Sequence, residues 1–91
     1  MKWYRGGALI QEKEHNETKY KIEVSEYNIC PDEKLCDIIC EVTVKIKFLF
    51  FWITIWKESI YCNDFKNIDD YNDEVEYIKI KAEDILKTLT D

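Results

Sequence analysis

The stretch Lys47-Phe48-Leu49-Phe50-Phe51-Trp52-Ile53-Thr54-Ile55-Trp56 constrains this chain more than any other. Eight of the nine residues from Phe48 to Trp56 are apolar, and the ninth is Thr54. Such a run belongs in a membrane, in a sheet core or on a partner-binding surface. A spanning helix needs about 20 apolar residues, and Lys45, Lys47 and Lys57 flank this run closely. The first fifteen residues, MKWYRGGALIQEKEH, offer only Ala8-Leu9-Ile10 where a secretory leader needs a longer apolar region. The expectation is a cytoplasmic protein that does not engage the membrane.

Phe, Trp, Ile and Thr favour strands. Before the run, Val42, Val44, Ile46 and Phe48 alternate with Glu41, Thr43, Lys45 and Lys47, which marks one buried and one solvated sheet face. From Phe48 onward both faces are apolar, so both are expected to be covered along 48–56. A single straight strand from Val42 to Trp56 would reach roughly 50 Å at ~3.3 Å per residue. A domain of this size has a radius of gyration near 12 Å by the usual scaling, so the segment must bend strongly or break near Leu49. Trp52 is expected to share a face with Phe48 and Phe50. Phe51, Ile53 and Ile55 are expected to meet a helix, in which case Phe51→Ala would unfold the domain.

That helix is the C-terminal segment. Val75, Ile78, Ala82, Ile85, Leu86 and Leu89 form one stripe at helical spacing. Asp73 with Glu76 three residues later has the form of a capping box. Residues 74–81 also alternate as a strand would, so a strand followed by a short helix is the alternative there. Ala8–Lys13 and Thr18–Tyr27, separated by the polar turn Glu14-His15-Asn16-Glu17, form a hairpin. Residues 28–34 and 63–72 have loop composition. The sum is an α+β domain spanning residues 1–91: a small antiparallel sheet of about four strands, one long and bent, packed by a C-terminal α-helix. A chain of 91 residues supports one modest core.

Chemistry-bearing residues are sparse. Cys36 and Cys40 have a spacing used in zinc sites, but Cys40 falls in a strand and Cys62 has no close partner. Plain thiols are the leading expectation, with disulfides or a metal on Cys30, Cys36, Cys40 and Cys62 as alternatives. His15 lies in a polar turn with no oriented neighbour, unlike a general base. Asp69, Asp70, Asp73 and Glu74 are oxygen-rich but lack the central Gly of an EF-hand loop. No phosphate-binding, metalloprotease or serine-nucleophile motif is present. The expectation is a protein without catalytic residues, cofactor or structural metal.

Charge is distributed unevenly. Residues 1–60 carry nine Lys/Arg and ten Asp/Glu, whereas residues 61–91 carry four Lys and nine Asp/Glu, within a net charge of −6. This argues against direct nucleic-acid binding, which needs a basic footprint. It suits a non-enzymatic protein docking an acidic face, with Asp69, Asp70, Asp73, Glu74 and Glu76 as contact residues, onto a basic partner such as the nucleic-acid-binding surface of a nuclease. In size, acidity and lack of catalytic residues the whole chain resembles the small inhibitor proteins carried by phages and plasmids, anti-CRISPR proteins and other host-defence antagonists among them. The resemblance implies an inhibitory role and assigns no residue. Two alternatives come from other classes: a homo-oligomerising domain, such as a homodimer, that uses its aromatic strand, and a cysteine-based metal-binding module.

Overall fold

The computed structural model describes residues 2–32, 35–62 and 68–91. Four strands, β1 (Lys2–His15), β2 (Thr18–Asp32), β3 (Leu35–Phe48) and β4 (Phe51–Cys62), precede one helix, α1 (Ile68–Leu89). The strands pair with their sequence neighbours in the order β1-β2-β3-β4, every pair antiparallel, and α1 packs on one face. The α+β expectation holds, and the terminal segment is helical throughout 74–81. None of the helices described is long and apolar enough to cross a membrane.

The apolar run resolves into a break near Leu49, the second of the two geometries its length allowed. Phe48 pairs with Phe51 across a two-residue turn, so the run is the tip of the β3–β4 hairpin rather than one bent strand. The molecule is longer than its chain length alone suggests. Strands of 12–15 residues give extents of 49 × 27 × 16 Å and a radius of gyration of 14.8 Å, more elongated than the generic scaling.

Register assigns the two faces. Directly opposed residues share a face. On the covered face Gln11, Ile22, Val44 and Trp56 form one cross-strand row, with Ala8, Val24, Val42 and Glu58 beside it. Ile22, Cys40, Val42, Val44 and Ile60 from the sheet join Tyr71, Val75, Ile78, Ala82 and Leu86 from α1 in a single buried cluster. The stripe foreseen from the sequence is therefore the packing face, extended toward the N-terminus by Tyr71. Ile85 is half-buried and Leu89 is exposed.

Two contacts fix where α1 lies. Lys81 Nζ sits 3.2 Å from Glu58 Oε2 on β4. At the far end Lys13 Nζ of β1 donates to Thr90 Oγ1 at 2.7 Å, while that hydroxyl donates to the Leu86 carbonyl at 2.9 Å. A lysine ammonium at a helix C-terminus also meets the negative end of the helix dipole. The helix thus starts against β3 and β4 and ends over the β1–β2 turn, crossing the sheet diagonally.

Several local expectations are corrected. Residues 28–32 continue β2, and 68–72 are the first turn and more of α1, because pairing and helical packing override their polar composition. Residues 33, 34 and 63–67 of the expected loops lie outside the described residues. Asp73 and Glu76 sit inside the helix, so they form no capping box; the first turn contains Asp69 and Asp70 instead. Trp52 opposes Lys47 whereas Phe48 opposes Phe51, so Trp52 and Phe48 lie on opposite faces. Phe51, Ile53 and Ile55 are exposed, so they neither meet Ile78, Ala82, Ile85 and Leu89 as core partners nor carry the fold.

Leu86 is fully buried and Ile80, on the outer face of the same helix, is exposed. Leu86→Ala is expected to cost about 2–5 kcal/mol and Ile80→Ala under about 0.5 kcal/mol beyond propensity. Urea unfolding followed by circular dichroism separates the two; equal losses would contradict the assigned packing face.

Candidate functional site

Two surfaces stand out: the β3–β4 tip and the outer side of α1. At the tip Phe48, Leu49, Phe50 and Phe51 are 60%, 71%, 90% and 67% exposed. Four consecutive large apolar side chains in water forgo burial that would contribute roughly 1.5–3 kcal/mol each. Turn chemistry does not call for them either. Leu49 has φ +57°, a left-handed conformation that a bulky residue adopts at a cost of about 1–2 kcal/mol and that Gly adopts freely. The β1–β2 turn shows the usual solution, with Asn16 first and both Asn16 and Glu17 at positive φ.

The apolar surface continues down β4 to Ile53 and Ile55, both exposed. A bulge places Ile55 as an extra residue between the Val44–Trp56 and Lys45–Thr54 pairs. On the other face, Lys21 Nζ lies 4.1 Å from the Trp52 ring centroid and Lys47 Nζ 6.0 Å from it, a cation–π arrangement that half-covers the indole.

On the open face of the sheet two carboxylates pair with three lysines. Glu23 Oε1 lies 3.0 Å from Lys21 Nζ and 3.3 Å from Lys45 Nζ, and Glu41 pairs with Lys57 at 4.0 Å. Burial pushes the Glu23 carboxyl up, but the two lysines together outweigh it and hold the group below its ordinary value. Farther down, Tyr4, Tyr27, Ile39 and Tyr61 align across all four strands, with Tyr4 and Tyr27 rings 5.6 Å apart and Ile39 buried in the row.

On α1, all five residues singled out in the sequence are exposed. Asp69, Asp73 and Glu76 recur at the spacing of one helix face and point away from the sheet, opposite the buried stripe. Asp70 and Glu74, one turn apart, lie on the flank toward β4. Glu76 pairs with Lys79 at 3.3 Å. Residues 68–91 hold eight carboxylates against three lysines, so most of this charge has no lysine on the helix to offset it.

Of the chemistry-bearing side chains, Cys40 and His15 lie among the described residues. Cys40 is a free thiol in the core whose pKa burial pushes up, only partly countered by a hydrogen bond with Tyr71. The side chains of Cys30, Cys36 and Cys62 lie outside the described residues. No group of three His, Cys, Asp or Glu side chains among the described residues is placed to hold a metal ion. His15 Nε2 lies 3.1 Å from Asn16 Nδ2, a local surface contact. The sequence offered this run as an interface only in an alternative reading; its main expectation, that both faces are covered along 48–56, fails at the tip, where no described element reaches residues 48–51.

The architecture and surface define a small α+β domain, an antiparallel meander crossed by one acidic helix. No protein-family model matches the chain, and neither a curated protein nor a solved structure matches it significantly.

Replacing Leu49 by Gly is expected to stabilise the protein in dilute solution by on the order of 1 kcal/mol, because it removes the positive-φ strain. A lower urea midpoint would mean the Leu49 side chain makes a stabilising contact within the fold.

The Glu23 network should show in the pH dependence of stability. Its folded pKa is depressed, so its contribution is complete above the unfolded carboxylate value of about 4.3 and is lost as pH falls through the folded value. Glu23→Gln is therefore expected to lower stability by about 1 kcal/mol at neutral pH, with a smaller deficit in acid. Unfolding midpoints at the two pH values test this; a deficit unchanged in acid would exclude the ionised network as its source.

Proposed function

We propose that this protein is a non-enzymatic binding module that docks the outer face of α1 on a basic, nucleic-acid-binding surface of another protein, in the manner of a small inhibitor. One observation carries the reading: the acidity is concentrated on a rigid, outward-facing helix, while on the open sheet face Glu23 and Glu41 are paired with Lys21, Lys45 and Lys57. A helix whose apolar stripe is anchored in the core holds its carboxylates in fixed positions, so docking costs less ordering than it would from a loop. Carboxylates facing Lys or Arg gain charge-assisted hydrogen bonds, and their common field speeds encounter. The same distribution disfavours phosphate binding, since Lys21, Lys45 and Lys57 on the open face already have carboxylate partners.

The test is affinity capture from cells that produce the protein, comparing wild type with Asp69→Lys/Asp73→Lys/Glu76→Lys. These three side chains are exposed and outside the core, so the helical signal should persist. A basic partner is expected to bind wild type, to elute as salt shortens the Debye length below about 8 Å, and to bind the variant at least about tenfold more weakly, or 1.4 kcal/mol. Equal capture by both proteins with no salt dependence would remove the acidic face from the binding surface.

A further inference from the structure

The diagonal path of α1 leaves bare the corner of the covered face nearest the β3–β4 tip, and this corner borders the free edge of β4. Because β4 is last in the strand order, one side of its backbone has no neighbouring strand among the described residues. Edge strands are normally protected by charges, Pro, bulges or shortness. The other edge, β1, has two register shifts and the charged run Glu12-Lys13-Glu14. β4 has one bulge, at Ile55, and no charge, Pro or Gly before Lys57.

We propose that a second copy of this chain occupies this edge, with the two β4 strands antiparallel about a two-fold axis near Thr54. The inference goes beyond the docking role of α1 and is independent of it. Three observations converge on a like partner. First, the exposed backbone donors and acceptors of β4 are satisfied by another strand, which a lipid surface cannot supply. Second, with the bulged Ile55 of each strand left out of the ladder, pairing about Thr54 sets Thr54 against its own equivalent, Ile53 against Trp56 of the other copy on the covered face and Trp52 against Lys57 on the open face, an isologous contact that keeps every opposed pair on one face. Third, that register carries each tip, four residues from the axis, to the stretch around Glu58 in its partner. There Ser59 and Ile60 of β4 and Tyr77 and Ile78 of α1 line a groove of about 320 Å³. Knob and groove lie at equal distances on either side of the axis, so both tips are seated at once.

The area is sufficient. The tip residues, Ile53 and Ile55 expose 43–90% of their surfaces. At about 200 Å² for a whole large side chain this is roughly 750 Å², close to one partner's share of a stable interface. The pairing would join two sheets into one of eight strands, with both helices on the same face and their outer sides free.

Light scattering after size-exclusion chromatography, at about 100 μM, well above a dissociation constant of order 1 μM, tests the proposal. Wild type is expected at twice the 11.0 kDa monomer mass. Phe51→Asp at the tip and Tyr77→Asp at the groove both alter exposed residues, so each should keep the wild-type circular dichroism yet dissociate at least about tenfold more readily. The Asp69→Lys/Asp73→Lys/Glu76→Lys protein should remain dimeric, which separates failure here from failure of the docking role. A wild-type monomer at that concentration, whether or not its tip binds mixed anionic vesicles, would overturn the proposal. So would a dimer indifferent to both variants, or assemblies that grow beyond two copies.

Discussion

One helix must cover one face of a four-stranded sheet, and it is too small to do so. At 1.5 Å per residue, the 22 residues of α1 span roughly 33 Å, against a molecule 49 Å long and 27 Å wide. Crossing diagonally buries the centre, where Ile22, Val42 and Val44 meet Ala82 and Leu86, and leaves two opposite corners bare. At the β1 corner the chain places Gly6 and Ala8, which leave little apolar surface to cover. Gly7 between them is held glycine by space, since a Cβ there would come within 2.8 Å of the Val24 carbonyl oxygen. At the β4 corner the same shortage meets phenylalanines and isoleucines. The two ends of the diagonal are thus treated in opposite ways by the sequence.

Electrostatics follow from the same layering. A sheet face without a helix over it must be wetted, and here lysines and glutamates two apart on one strand or diagonal across neighbouring strands help to cover it, a partly exposed network of modest value individually. The helix has no facing strand on its outer side, where Glu76 meets Lys79 of the same helix and the packing of the core does not call for the number of carboxylates present. Asp69 and Asp70 gain from the helix N-terminus; Asp73, Glu74 and Glu76 lie beyond the reach of that effect. The excess is therefore affordable to the fold but not explained by it.

Much of the architecture was legible in local pattern. Period-two alternation in β2 and β3 gave their buried faces, and helical spacing picked out Val75, Ile78, Ala82 and Leu86 because these positions answer to one neighbouring layer each. Boundaries were harder: residues 28–32 look like a loop but pair with β3, since ladder hydrogen bonds outweigh weak propensity. The tip was unreadable for a different reason. Apolar character reports a preference for leaving water, not the presence of a surface to receive it, and whether α1 reaches Phe51 depends on the crossing angle of a helix thirty residues away. The acidic residues were visible as a cluster, whereas their division into an outward line and a flank needed the helix to extend through 68–73.

Residues 48–51 are consequently under two local penalties at once, and the two point the same way. A hairpin needing only to turn would carry Asn or Gly, as the β1–β2 turn does with Asn16, and would gain both backbone ease and solubility. Four apolar residues with Leu49 at positive φ give up both. Single exposed apolar residues are ordinary on any protein surface, but a contiguous patch of several hundred Å² on a domain of this size is the kind that marks an interaction site. Within the described fold no element lies over it, and its position at the end of a free strand edge gives it directionality that a mere greasy patch lacks. The second copy of the chain proposed above would bring to this surface both apolar area and a strand's hydrogen-bonding edge.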